Sequence, residues 1–151
     1  MAPAACSSCG GDGGKKARPA RATTTIDYGA QYVALANEAN DAAERFNTAA
    51  AKLTTKGITQ QQLAAEASTF ADALADMNSG LTRASWPPKV AALVPDLARA
   101  NEKVIADLRR TASVPPGELA AWNHEVAVDE GRFTEAAIRI RLELRLPPAE
   151  A

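Results

Sequence analysis

Apolar residues recur at alternating steps of three and four in four separate stretches of this chain. Such spacing places side chains on one face of an α-helix, and a face that continues over several turns can pack along a neighbouring helix. The first two stripes are Tyr28, Tyr32, Leu35, Ala39, Ala42, Phe46, Ala49 and Leu53, and then Leu63, Ala67, Phe70, Leu74, Met77, Leu81 and Ala84. The other two are Val90, Val94, Leu97, Asn101, Val104, Leu108 and Thr111, and then Leu119, Trp122, Val126, Asp129, Phe133, Ala136 and Ile140. The pattern predicts four amphipathic helices.

Consecutive stripes pair in a constant antiparallel register. Folding the third stripe back on the fourth places Asn101 opposite Asp129, in a layer that Ala42 and Leu74 complete. The implied turns fall near residues 58, 87 and 115. Three such hairpins make an up-down-up-down four-helix bundle. We therefore predict an all-α fold of this topology, with helices at about 26–56, 59–85, 87–112 and 115–145.

The residues at the predicted turns are those that begin and end helices. Thr59 and Gln62 form a T-x-x-Q capping box, which satisfies two backbone N–H groups at a helix start. Proline pairs begin at Pro87, Pro115 and Pro147. Because proline is tolerated in a first helical turn and breaks a helix interior, these pairs indicate boundaries between helices.

Three residues disturb the predicted helices. Pro95 lies inside the third helix, and we expect it to kink that helix or to split off a short segment at about 88–93. Gly80 and Gly131 are each expected to weaken their helix by about 1 kcal/mol relative to alanine.

Composition restricts the kinds of partner that the chain can have. The 151 residues are 46% hydrophobic but only 5% aromatic, and alanine dominates the apolar set, which favours closely packed helices over a β-sandwich. The formal net charge is -1, so we expect no nucleic-acid partner, because nucleic-acid binding requires a concentrated basic surface. No apolar run approaches the roughly 20 residues of a membrane-spanning helix.

Residues 1–25 differ from the rest of the chain. They are rich in Gly, Ser, Pro and Ala, so we predict a disordered tail, with a second short tail at 147–151. Cys6 and Cys9 lack the further ligands of a zinc site and the strand–helix setting of a redox C-x-x-C motif. Two interpretations remain: Cys6 is a lipidation site, or both cysteines are incidental to the tail.

The sequence Ala4-Ala5-Cys6 and the Gly/Ser-rich stretch after it resemble the mature start of bacterial lipoproteins. A tail followed by alanine-rich helices is similar to the small helical lipoproteins of actinobacteria. Pro3 stands where that pattern usually has leucine, and the hydrophobic signal segment is missing ahead of it, as expected if translation starts upstream. The resemblance implies a lipidated Cys6, a membrane-anchored, extracytoplasmic location in the cell envelope, and a membrane surface as partner. A cytoplasmic location is the alternative.

Asn101 and Asp129 are the candidate ligand-binding residues, because each is a polar residue within an apolar stripe. The Asn101 amide is expected to donate a hydrogen bond to the Asp129 carboxylate. One interpretation is a buried pair that fixes the alignment of the helices at some cost in stability. The other is a small polar cavity in the middle of the bundle that binds a ligand or a cation.

We expect no catalytic, metal or cofactor site. The single histidine, His124, falls two residues beyond Trp122 on the predicted outward face, so the chain lacks the Glu-x-x-His pairs of di-iron bundles and a base for a nucleophile. We therefore predict a non-enzymatic cell-envelope binding or scaffolding module, with an unknown protein or small molecule as partner. The alternatives are a small-ligand-binding or sensor bundle and a cytosolic helical protein that oligomerises.

Overall fold

The computed structural model describes residues 25–54 and 57–147, without the side chain of Thr54. Within these ranges the chain forms four α-helices and two single 3₁₀ turns, and it contains no β-strand. The helices are α1 (Tyr28–Thr54), α2 (Gln60–Arg83), α3 (Pro88–Arg109) and α4 (Leu119–Glu143), and the 3₁₀ turns are Thr111–Ser113 and Pro116–Glu118. The all-α prediction is confirmed. The predicted N-terminal tail up to residue 24, with Cys6, and residues 148–151 lie outside the described ranges.

Side chains close the starts of α1 and α2. The Asp27 carboxylate accepts a hydrogen bond from the Ala30 N–H at 2.9 Å. At α2 the predicted capping box is confirmed: the Gln62 N–H donates to the Thr59 hydroxyl oxygen at 3.2 Å, and the Thr59 N–H donates to the Gln62 side-chain oxygen at 2.8 Å. Each contact satisfies an N–H group that the helix leaves without a backbone partner.

The third helix is one continuous element, so the expected short segment at 88–93 is wrong. Pro95 lies within α3, which extends from Pro88 to Arg109. Proline removes the N–H that would bond to the carbonyl of Ala91, and both Pro95 and Ala91 are solvent-exposed. Water can therefore take the place of the missing donor, and buried Val90, Val94 and Leu97 hold both sides of the proline in the core.

Consecutive helices pack side by side. Their contacts join the end of one helix to the start of its neighbour, as in antiparallel pairs. Phe46 of α1 lies on Phe70 of α2, with ring centroids 5.9 Å apart. The indole N–H of Trp122, early in α4, donates to the carbonyl of Asp107, late in α3, at 3.0 Å. α1 and α4 stand farther apart and meet through large side chains: the rings of Phe46 and Trp122 are edge-to-face at 6.3 Å.

The predicted stripes form the core, but the fourth stripe is the least buried. Five of the eight positions are buried in the first stripe, six of the seven in the second, and all seven in the third. In α4 only Trp122, Val126 and Ile140 are buried, whereas Phe133 and Ala136 are half-buried. α4 therefore contributes one narrow edge to the core and leaves much of its surface to solvent.

An aromatic cluster covers the end of the bundle where α2 connects to α3. The Trp86 ring packs against Tyr28 at 6.3 Å and Tyr32 at 6.5 Å, and its N–H donates to the Leu81 carbonyl at 2.8 Å. Burial raises the pKa of the Tyr32 phenol to about 12, although the nearby Arg141 cation opposes the rise. The phenol is therefore neutral at physiological pH.

The start of α1 lies beside the end of α4. A methyl group added at Gly29 would come within 3.0 Å of the Leu146 side chain. α4 ends in a Schellman motif: Arg145 has a left-handed φ of 56°, its N–H donates to Leu142, and the Leu146 N–H donates to the Arg141 carbonyl at 2.9 Å. This turn directs Leu146 back against α1.

Candidate functional site

Asn101 is completely buried, but its partner is not the predicted one. Its side-chain amide donates to the Asn78 side-chain oxygen of α2 at 2.6 Å, and the Asn78 amide donates to the Ala98 carbonyl of α3 at 3.1 Å. The predicted hydrogen bond from Asn101 to Asp129 is therefore wrong. The stripe register places residues in layers, but it cannot say which of two neighbouring helices a buried side chain will face. Asn78, next to the stripe residue Met77, supplies the acceptor instead.

The Asn101 side-chain oxygen has no hydrogen-bond donor among the described residues, although it is buried. A buried acceptor without a partner costs about 1–3 kcal/mol. The hydrogen bonds from Asn101 to Asn78 and from Asn78 to Ala98 link α3 to α2. They support the alignment role that the sequence suggested for Asn101. A ligand-binding role for Asn101 stays a prediction.

Asp129 belongs to a different cluster, at the boundary between α3 and α4. Its carboxylate accepts a hydrogen bond from Arg132 at 2.7 Å and also contacts the carboxyl group of Asp107. Both aspartate side chains are only 16% exposed. Burial raises the pKa of Asp107, and the hydrogen bond to Asp129 adds to the rise, whereas Arg110 opposes it. Sequence reasoning missed this carboxyl pair. The available signal was the position of Asp107, which directly precedes the stripe residue Leu108.

Paired carboxyl groups can perform acid–base chemistry when they face a substrate. Neither Asp107 nor Asp129 is among the residues that line four cavities of the described chain. The same part of the chain contains no group of three or more His, Cys, Asp or Glu residues placed to hold a metal ion. The pair therefore joins two helices, and none of these cavities makes it a substrate site. His124 is exposed on the outward face of α4.

A groove of about 280 Å³ separates α1 from α4. Alanine side chains on both helices keep its walls low, and Glu130 lies inside it. The residues around the groove are Phe46, Asn47, Ala50, Ala51, Asn123, Val126, Ala127 and Glu130. One Glu130 carboxylate oxygen is buried without a donor, and burial raises the pKa of this group. Sequence reasoning missed Glu130, although its spacing of four from Val126 and three from Phe133 places it beside the buried stripe.

The outer face of α4 is unusually apolar. Val128, Ile138 and Leu142 are exposed by 43%, 48% and 69%, and they are three of the four large hydrophobic residues exposed in the described chain. Gly131 lies on the same face, where an added methyl group would meet nothing within 4 Å. None of the helices described is long and apolar enough to cross a membrane.

Comparisons with protein families, with curated proteins and with solved structures find no match to this chain. Three features of this chain bear on its function: the groove between α4 and α1, the exposed outer face of α4, and the Cys6 motif.

Proposed function

We propose that this protein is a non-enzymatic scaffolding module that associates through the outer face of α4 with a second copy of itself. The main support for this proposal is that Val128, Ile138 and Leu142 are exposed on one face of the helix. Single exposed apolar residues are normal on protein surfaces, but a row of them on one face is typical of an interaction site.

The spacing of these residues suits packing against another helix. Val128, Gly131, Glu135, Ile138 and Leu142 follow one another at steps of three, four, three and four, which is the spacing of a helix–helix seam. We call these five residues the outer stripe. They lie on the side of α4 opposite to the buried residues Trp122, Val126 and Ile140. α4 thus has one stripe for its own core and a second one without a partner in the described chain.

A second copy fits the outer stripe by shape and by charge. An antiparallel pair of α4 helices, centred between Gly131 and Glu135, places Val128 of each copy against Ile138 of the other. The same register places Glu135 opposite the open surface of Gly131 and beside Arg132. Such a contact is the same on both copies, as a two-fold symmetric dimer requires.

Sedimentation velocity of the full chain over a range of concentrations tests the proposal. We expect a reversible monomer–dimer equilibrium that Ile138→Glu shifts toward monomer by at least about tenfold, because the variant puts a charge into an apolar contact. Ser68→Glu adds the same charge at an exposed position on α2 and serves as the matched control. A wild-type chain that stays monomeric at high concentration, or a dimer that Ile138→Glu leaves unchanged, would contradict the proposal.

We propose further that Cys6 is lipidated and holds the module at the outer surface of the cytoplasmic membrane. The support is the Ala4-Ala5-Cys6 motif with its Gly/Ser-rich linker. Several acyl chains on one cysteine anchor a domain firmly, at about 0.8 kcal/mol per buried methylene group. The intact mass of the natively expressed protein should include the lipid, and Cys6→Ser should release the chain from the membrane fraction. An unmodified Cys6 in a chain that fractionates with soluble proteins would reject the tether.

A further inference from the structure

Glu130 has no cationic partner among the described residues, and the groove in which it lies has room for one. Among the described residues it has no ion pair and no hydrogen bond to its buried oxygen, although α4 carries several arginines nearby in sequence. A partly buried carboxylate that lacks a donor is energetically costly. A cation that enters the groove would therefore stabilise the ionised Glu130 side chain.

We propose that the groove between α1 and α4 binds a small aliphatic amine in its protonated form, with the ammonium group on Glu130. Glu130 supplies the charge at the bottom of the groove. The side chains of Asn47 and Asn123, one on each wall, add amide oxygens that can accept from an ammonium group, which has three N–H donors. An ammonium group in the groove can thus pair with the Glu130 carboxylate, whose buried oxygen has no donor among the described residues.

The rest of the groove suits a short hydrocarbon chain. Its walls are the methyl groups of Ala50, Ala51 and Ala127, and its floor contains Phe46 and Val126. A volume of about 280 Å³ is just below the range of about 300–1,000 Å³ for small-molecule sites, so it fits only an amine of a few carbons. A metal ion fits less well, because the groove offers one carboxylate and no histidine or cysteine.

This inference is independent of self-association, because the groove and the outer stripe lie on different sides of α4. Asn123, Ala127 and Glu130 flank α1 in the groove, whereas Val128 and Ile138 of the outer stripe are exposed. An amine can therefore bind to the monomer and to the dimer.

The first experiment titrates the full chain with n-butylammonium chloride and follows amide resonances of α1 and α4 by NMR. Saturable shifts around Asn47 and Asn123 are expected, whereas 1-butanol, which lacks the charge, should produce none. Glu130→Gln should weaken butylammonium binding by about 30-fold or more, because it removes the charged partner. Glu38→Gln removes an exposed carboxylate from α1 and should leave binding unchanged.

A second variant tests whether butylammonium binding needs the shape of the groove or only the negative charge of Glu130. Ala127→Leu fills the groove but keeps the carboxylate, so it should also weaken butylammonium binding; circular dichroism checks that each variant folds. A lysine-containing peptide distinguishes a free amine from a lysine side chain of another protein, because tighter binding of the peptide assigns the groove to protein lysines. The proposal is overturned if butylammonium produces no saturable shifts, or if either Glu130→Gln or Ala127→Leu binds it as tightly as the wild type.

Discussion

Asn101 occupies a core position of the third stripe, in which leucine, a residue of similar size, fills positions 97 and 108. The asparagine gains one hydrogen bond to Asn78 and leaves its own side-chain oxygen without a donor. Since a net hydrogen bond contributes about 1 kcal/mol and a buried orphan acceptor costs at least as much, the residue adds little to stability. Its contribution is to define how α2 aligns with α3.

Substitutions at Asn101 should separate stability from alignment. We expect Asn101→Leu to change the free energy of unfolding by no more than about 1 kcal/mol, because Asn78 is half-buried and can turn its freed oxygen to water. Asn101→Asp should destabilise the chain by about 3 kcal/mol or more at neutral pH, because it buries a charge next to the Asn78 oxygen. Urea denaturation of both variants measures the difference. Equal stability of the two variants would show that position 101 is not buried as described.

At the scale of the helix, two glycines that look alike in the sequence have different surroundings. Gly80 of α2 faces the Leu35 side chain of α1 so closely that an added methyl group would collide with it. Gly131 of α4 faces open space. Both were expected to weaken their helices equally, since intrinsic propensity is the same for each. The contact with Leu35 gives Gly80 a packing role that propensity cannot reveal.

The variants Gly131→Ala and Gly80→Ala should therefore differ in sign or in size. Gly131→Ala is expected to stabilise the monomer by about 1 kcal/mol, which is the full difference in helix propensity. At Gly80 the same gain is offset because Leu35 must move away from α2, so Gly80→Ala should gain less or lose stability. Denaturant midpoints at low protein concentration provide the comparison, and an equal gain for both variants would contradict the close packing at Gly80.

How much of each helix the sequence could predict depends on the kind of signal. Thr59 and Gln62 carry their own partners within one turn, so the start of α2 was predictable from local chemistry. The proline pair at Pro115 marked the right connection, but α4 begins at Leu119 because two 3₁₀ turns use the residues before it. The Gln60 amide contacts these turns, donating to the carbonyls of Thr111 and Val114 at 2.9 and 2.7 Å. No local pattern predicts such a long-range contact.

At the scale of the whole molecule, α1 and α4 close the bundle loosely, and this explains why the candidate sites were the hardest part to predict. A repeat of three and four specifies which face of a helix is buried, but it leaves open how far apart two helices stand. The alanines that line the groove were visible in the sequence as part of a wide apolar face. The rotation of α4 about its own axis determines that Glu130 faces the groove. The same rotation places Asp129 beside Asp107.

The raised pKa values of Asp107 and Glu130 predict how the stability of the whole chain depends on pH. Asp107 and Glu130 each hold a proton more tightly in the folded chain than in the unfolded one, chiefly because of burial. Their contribution to stability is fully present below the ordinary pKa values of 3.8 and 4.5, and it is lost as the pH rises through the raised values. These two groups should therefore oppose the usual loss of stability in mild acid.

The variant Asp107→Asn combined with Glu130→Gln should remove this dependence. Amides keep the hydrogen-bonding shape without the charge, and the amide introduced at position 107 can donate to Asp129 at any pH. We therefore expect a melting temperature about 3 °C higher at pH 7 and little change near pH 4. Thermal melts of the variant and the wild type across this range measure the effect. A variant that gains equally at both pH values would show that the two carboxyl groups are not responsible.

The contact between Gly29 and Leu146 puts both ends of the bundle at one pole. A lipid attached ahead of α1 would bring this pole toward the bilayer, and anything that follows Leu146 would emerge on the same side. The exposed stretch from Pro115 to Gly117 then points outward, roughly 36 Å away along helices of about 24 residues. A fluorophore or protease site placed there would be the most accessible one on an anchored chain.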